Sequence, residues 1–270
     1  MLRDGLLAVR ELRQGHGTPL VLLHGFPLDS RMWADVVDLM PGEPHVLGID
    51  FPGAGRSPVG ADVAERLGTS GDPSIELAAD AVAATLRARG IDRAVVAGLS
   101  MGGYVALALV ERHPELVAGL GLLDTKTTAD PDDARANRLR IADQLEAEHR
   151  VDAVLGMRTT LLGATSRDSR PDLAARLETW IRDQGPLGVA WAQRAMAARP
   201  DRSAVLRGFA GPVVVVVGDE DELSPPAGAR EMAQLAADTQ LVEVPRAGHM
   251  TAIESPEPVA SALATLLRRA

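Results

Sequence analysis

Short apolar runs alternate with amphipathic stretches along most of this chain. Residues 20–23, 45–50, 95–97, 116–124, 213–217 and 240–244 are apolar or β-branched runs of strand length, bounded by Gly, Pro or Asp. Between them, apolar residues recur at helical spacing. Trp33, Val36, Val37 and Met40 follow a capping Asp29 or Ser30. Ile75, Ala79, Val82, Ala83 and Leu86 share one side of a stretch from Ser74 to Gly90. Tyr104, Val105, Leu107, Ala108 and Leu109 continue until Pro114 stops the helix. Residues 228–237 and 257–269 read as two more helices. Residues 6–12 alternate loosely, as an edge strand does, and the Gly- and Asp-rich residues 58–72 predict an exposed excursion. Strands alternating with helices predict an α/β fold with a mostly parallel sheet covered on both faces.

The rhythm breaks after residue 124. Residues 125–208 contain no strand pattern, only helix-like segments over about 131–149, 151–162, 171–183 and from Pro186 onward. Leu139, Ala142 and Leu145 mark the apolar side of the first, and Leu173, Leu177 and Ile181 that of the third. These apolar faces argue against disorder. Strands resume afterwards, so the predicted organisation is a core of residues 1–124 and 209–270 with residues 125–208 inserted as a helical cap.

Composition narrows the functional classes. The chain has 270 residues, of which 46% are hydrophobic, enough for one sizeable core. It has no cysteine, which excludes disulfides and thiol catalysis. The net charge is −9 and the arginines are scattered, so no basic stripe marks a nucleic-acid partner. Charges at positions 3, 4, 10, 11 and 13 interrupt any leader-like apolar stretch, and no apolar run approaches the ~18 residues of a membrane span. A cytoplasmic protein without a membrane partner is expected; the oligomeric state is left open.

The chemistry centres on residues 95–105. A short strand of Val95, Val96 and Ala97 leads into Gly98-Leu99-Ser100-Met101-Gly102, a G-x-S-x-G sequence, and a helix follows. In a chain with 26 glycines, composition alone gives about 0.1 such matches, so the pentapeptide carries weight only through its context. Strand, sharp turn and helix is the context of a nucleophile elbow. The turn opens a helix, so the Met101 N–H is aimed where an oxyanion would form. Two further signals follow in chain order: the acidic turn Gly218-Asp219-Glu220-Asp221 after a valine strand, and Gly248-His249 after the last strand. A serine needs a base to take its proton, and histidine serves because its pKa lies near neutrality. A carboxylate then fixes the imidazole tautomer. Asp124, Asp219 and Asp221 are candidates for that acid. Asp221 is favoured, because it lies deeper in a turn stiffened by Ser224-Pro225-Pro226, whereas an acid directly behind a strand is held close to the sheet edge.

From Leu20 onward the chain resembles the α/β-hydrolase superfamily. The pieces that carry the likeness are His24-Gly25-Phe26-Pro27, the run from Asp50 through Pro52, Gly53 and Gly55 to Ser57, Gly98-Leu99-Ser100-Met101-Gly102-Gly103, Gly218-Asp219-Glu220-Asp221 and Ala247-Gly248-His249. The likeness implies the α/β-hydrolase fold with an inserted helical cap, and residues 1–19 are short for the two strands that usually lead it. It implies Ser100, Asp221 and His249 as catalytic residues, and the backbone amides of Met101 and Phe26 as oxyanion hole. The acid position is the last of a G-x-x-D spacing. HGFP and GLSMGG are similar to small carboxylesterases and enol-lactonases, which implies a small-molecule ester or lactone as substrate and no metal or cofactor. Carbon–carbon hydrolases and perhydrolases use the same triad, and a non-catalytic ligand-binding protein of this fold is the other alternative. His24 reads as a loop-fixing histidine, Glu254 as a capping or surface charge, and Glu220 and Glu222 as solvated turn charges. Aromatic residues number only seven. Trp33, Trp180 and Trp191 fall on elements expected near the site and, with Met250 beside His249, are candidate pocket residues, with packing of the insertion against the core as the equal alternative for the tryptophans.

Overall fold

A computed structural model describes residues 5–270. Residues 1–4, including the charges at positions 3 and 4 that enter the leader argument, lie outside the described part. Seven strands form one sheet in the order β1-β3-β2-β4-β5-β6-β7. They are β1 (Val9–Arg13), β2 (His16–Leu23), β3 (Pro44–Ile49), β4 (Ala94–Leu99), β5 (Val117–Leu123), β6 (Val213–Gly218) and β7 (Thr239–Val244). Only β1 runs antiparallel, against β3; every other pairing is parallel. A single strand therefore precedes β2 among the described residues, as the short stretch before Leu20 suggests.

All residues of β4, β5 and β6 are buried. Parallel strands reach this state only when helices cover both faces, which is why they read as continuous apolar runs. The helix Met101–Arg112 packs on β2, β4 and β5 and against Ile75–Ala88. The C-terminal helix Pro256–Arg269 lies on β5 and β6 and against Ala34–Leu39. Gly119 and Gly121 of β5 leave room for it: a Cβ on Gly119 would stand 3.3 Å from Leu266, and one on Gly121 3.4 Å from Leu263. Edge strands β1 and β7 are only partly buried.

Register places the chemistry. Leu23 pairs with Gly98, Leu99 with Leu123, Leu123 with Val216, and Gly218 with Val244. The carboxyl ends of five parallel strands thus align, and the residues just past them share one edge. Strand order reverses between β3 and β4, which lie on opposite sides of β2. That is the topological switch at which open sheets present ligand crevices.

The region between β5 and β6 is helical, with Asp132–Glu148, Met157–Thr160, Ala164–Ser169, Pro171–Arg182, Pro186–Ala198 and Ser203–Gly208. Asp132–Glu148 packs along Pro186–Ala198. It buries only Ala142 and Leu145; Leu139, expected on the same side, is 41% exposed. The segment 151–162 is a 3-10 turn and one short helix, which starts after Gly156, rather than one continuous helix. The predicted excursion at 58–72 contains a helix, Gly60–Leu67, whose Val63 and Ala64 are buried. Two apolar residues one turn face suffice to dock it, a signal too weak to outweigh the flanking Gly and Asp in the sequence.

Polar contacts tie the inserted helices to the loops and helices around the sheet. Gln184 donates to Asp29 Oδ2 at 2.8 Å and accepts from Gly55 N–H at 3.1 Å. Arg202, almost fully buried, reaches Glu111 at 2.9 Å and also bonds Glu76. Within the insertion itself, the Thr127 and Ser203 hydroxyls meet at 2.7 Å.

Candidate active site

The β4 strand delivers Ser100 into a backbone that few residues adopt, φ 54° and ψ −112°. Two bonds hold it there: Ser100 N–H donates to Leu123 O at 2.8 Å, and Thr125 Oγ1 donates to Ser100 O at 2.8 Å. The glycines of the elbow are sterically required. A Cβ on Gly98 would lie 2.1 Å from Gly102 C, and one on Gly102 would lie 2.2 Å from Leu23 O. Without side chains there, the helix starts directly over the strand ends.

Ser100, His249 and Asp221 form an unbroken hydrogen-bonded chain. Asp221 Oδ2 and Oδ1 stand 2.8 and 3.0 Å from His249 Nδ1, and His249 Nε2 stands 2.9 Å from Ser100 Oγ. With an acid at Nδ1, that nitrogen carries the proton, and Nε2 accepts from the serine hydroxyl. Asp221 is itself fixed, since its Oδ1 accepts from the Leu223 and Ser224 N–H groups at 2.8 and 2.9 Å. Burial would lower the His249 pKa, but the Asp221 hydrogen bond and charge outweigh it, aided by Asp124 and Glu254, and the pKa is raised.

The other two acid candidates sit elsewhere. Asp219 is exposed and accepts only from Arg246 N–H, at 2.7 Å, closing its own turn. Asp124 is fully buried behind the histidine loop, with Gly218 N–H on one oxygen and the Thr251 N–H and hydroxyl on the other. Burial, and then the charge of Asp221, push its pKa well above the usual carboxylate range.

His24 holds a loop, as expected. Its Nε2 accepts from Phe51 N–H at 3.0 Å, its ring packs on Phe51, and burial lowers its pKa. Glu254 does far more than cap a helix. It is buried, and its oxygens accept from Gly163 N–H at 2.9 Å, Gly248 N–H at 2.9 Å and Met250 N–H at 3.1 Å. Those donors flank His249, whose own N–H donates to Leu161 O at 3.1 Å. Glu220 is likewise no free turn charge: it takes the Thr165 N–H at 2.7 Å and the Thr165 hydroxyl at 2.5 Å. Only Glu222 is a surface charge, paired with Arg167. The four residues between His249 and Glu254 gave no sequence sign of this clamp, because its donors are backbone amides and have no side-chain signature.

A cavity of about 380 Å³ opens at Ser100 and His249. Phe26, Tyr104, Met157 and Leu161 are among its walls. The backbone N–H groups of Phe26 and Met101 have no acceptor among the hydrogen bonds of the described residues. None of Trp33, Trp180, Trp191 and Met250 lines this cavity. Trp33 is wholly buried in the core, and Met250 is buried with its N–H turned to Glu254. Trp191 packs against Gly60, where a Cβ would meet its Nε1 at 2.1 Å. Trp180 lies under Arg176 and Arg31, 5.2 and 5.9 Å from its ring centre. Of the two roles open to them, Trp33 and Trp191 take packing, and Trp180 is half-buried beneath two guanidinium groups. Among the described residues no cluster of three or more His, Asp or Glu is placed to hold a metal ion.

Residues 18–256 match the family model of the alpha/beta hydrolase fold. The chain belongs to that family. At 29% identity, over 93% of this chain and 94% of the relative, it is similar to the pimeloyl-[acyl-carrier protein] methyl ester esterase of Chromobacterium violaceum. Two solved structures are close to this alpha/beta hydrolase. A thermophilic esterase from Thermogutta terrifontis, with malate bound, superposes with a TM-score of 0.88 at 34% identity, covering 97% of this chain and 93% of that one. The enol-lactonase from Burkholderia xenovorans gives 0.82 at 26% identity, covering 97% and 96%. No helix among the described residues is long and apolar enough to cross a membrane.

Proposed function

We propose that this alpha/beta hydrolase is a serine hydrolase of small carboxylic esters or lactones. The observation that carries the reading is the Ser100–His249–Asp221 chain, with contacts of 2.9 and 2.8 Å, at the base of a cavity. Ser100 Oγ attacks the carbonyl carbon while His249 Nε2 takes its proton. Asp221 stabilises the imidazolium that results. The free N–H groups of Phe26 and Met101 receive the oxyanion, the second of them from a helix N-terminus. The tetrahedral intermediate collapses, the C–O bond breaks, and His249 protonates the leaving alkoxide. Water, activated by the same histidine, then releases the carboxylic acid and restores Ser100. In this reading residues 125–208 are a cap that walls the cavity and keeps bulk water from the acyl-enzyme. The esterase and enol-lactonase among its relatives point to the same bond class.

The test combines labelling with turnover. A fluorophosphonate should modify Ser100, and purified protein should hydrolyse p-nitrophenyl esters of short acids. Ser100→Ala should abolish labelling and lower kcat by several orders of magnitude while the protein stays folded. Wild-type hydrolysis in the alanine variant would refute the serine mechanism. Labelling without turnover of any ester or lactone would favour a ligand-binding protein.

A further inference from the structure

The cavity beside Ser100 carries more positive than negative charge. On its wall Asp130 is the meeting point of three cations. Arg199 closes on it bidentately, both contacts at 2.7 Å, with the two side chains 2% and 1% exposed. Arg138 Nε donates to Asp130 Oδ2 at 2.6 Å, and Lys126 Nζ stands 3.3 Å from Oδ1. Burial works against the Asp130 charge, but Arg199 and Arg138 hold its pKa far below the usual carboxylate range. One carboxylate is therefore set against three cations, a local excess of two positive charges. The composition does not explain this excess: the chain is net negative, and Lys126 is its single lysine.

The buried pair closes on itself through both Arg199 Nη atoms, and the Arg199 Nε is left buried without a hydrogen-bond partner among the described residues. Arg199 spans both Asp130 oxygens and stacks on Tyr104, 4.0 Å from the ring centre. Lys126 and Arg138 are not satisfied in this way. Both line the cavity that holds Ser100 and His249. Among the described residues the Lys126 ammonium has Asp130 as its one acidic partner. Arg138 spends Nε on Asp130 and Nη1 on Gln193, at 3.0 Å, and its Nη2 has no acceptor among the described residues. The Tyr104 hydroxyl, on the same wall and one helical turn from Ser100, also makes no hydrogen bond to a protein group there. Like charges held this close in a partly desolvated wall repel each other, and a planar anion that accepts from a guanidinium edge relieves that repulsion.

We propose that Lys126 and Arg138 form an anion subsite, so that the substrate is an ester or lactone bearing a second, free carboxylate. This rests on the ester-hydrolase reading above. The carboxylate docks on the Arg138 Nη2 edge and the Lys126 ammonium, and the scissile carbonyl then lies toward Ser100 within one small cavity. The anchoring interaction is made equally in ground and transition states, so it acts mainly on KM.

The experiment compares p-nitrophenyl valerate with the mono-p-nitrophenyl ester of glutaric acid, corrected for background hydrolysis. Wild-type protein should prefer the glutarate ester by tenfold or more in kcat/KM. Lys126→Met and Arg138→Gln should each lower that preference about tenfold, chiefly through KM, and Arg138→Lys should restore part of it. Glutarate itself should bind wild type by calorimetry and bind Lys126→Met at least tenfold more weakly. Arg138 also bridges two helices, so Lys126→Met carries the test should the Arg138 variants not fold. Equal kcat/KM for the two esters in wild type, or a preference that survives both substitutions, would overturn the subsite. Failure of the parent reading looks different: neither ester turns over, while glutarate binding still reports on Lys126 and Arg138. Glutarate that binds neither protein overturns the subsite in that case as well.

Discussion

Replacing Glu254 with Gln probes the support of the histidine loop without touching the three reacting side chains. The carboxylate accepts three backbone N–H groups, from Gly163, Gly248 and Met250. A glutamine oxygen can keep the two at Oε1, but its NH2 then faces the Gly163 N–H, donor against donor. One charge-assisted bond is lost and two are reduced to neutral ones. At about 1.5–3 kcal/mol for a charged bond and ~1 for a neutral one, the loss comes to about 2.5–7 kcal/mol. Urea unfolding reads this as a midpoint lowered by roughly 1–2 M, for a slope near ~3 kcal/mol/M. A second readout separates this clamp from generic packing. The Glu254 charge is one of the influences that raise the His249 pKa. Its removal should therefore move the acid limb of the kcat/KM profile to lower pH while kcat falls, since the loop that presents the imidazole is less firmly held. A midpoint within ~0.2 M of wild type together with an unmoved limb would refute the clamp.

Three further outcomes follow from the same geometry. Asp221→Asn should cost about 10³–10⁴-fold in kcat, because an amide favours the wrong imidazole tautomer; Asp219→Asn, whose parent holds only Arg246 N–H, should stay within about tenfold. Steady-state rates on a p-nitrophenyl ester decide between them, and a reversed order would move the acid to Asp219. The base must be neutral to act and its folded pKa is raised, so kcat/KM should fall on the acid side with an apparent pKa above 6.5; a rate flat down to pH 5 would exclude His249 as base. The same shift means that the stability contributed by His249 is fully present below its unfolded pKa and is lost as pH rises through the folded value. For Asp29, burial acts against ionisation, but its bonds to Arg31 and Gln184 prevail and lower the pKa from 3.8 to about 2. That linkage contributes about 2 kcal/mol above pH ~4, lost as pH falls toward 2. Asp29→Asn should remove it, seen as a lower thermal midpoint at pH 7 and a smaller gap from wild type at pH 3.

Periodicity in the sequence determined the sheet. Fully apolar runs such as Leu20–Leu23 and the five valines at 213–217 have one stable place, between two helix layers, and they occupy it. The elbow was legible for a local reason: strand, Gly-x-Ser-x-Gly and helix are contiguous, and only glycine fits at positions 98 and 102. Chain order and turn depth likewise pointed to Asp221 and His249, and the structure brings both to Ser100. Tertiary structure decided everything that depends on distant partners. The choice between pocket and core for Trp33, Trp180 and Trp191 turned on which helix faces met, and no periodicity contains that. The same holds for Glu254, whose donors are backbone amides separated from it by up to 91 positions, and for Asp130, which becomes a hub only when 126, 138 and 199 converge. Charged residues scattered along a helical insertion look alike in one dimension. Folding sorts them, because a cation buried beside a carboxylate and a cation left facing a cavity have opposite needs for a partner.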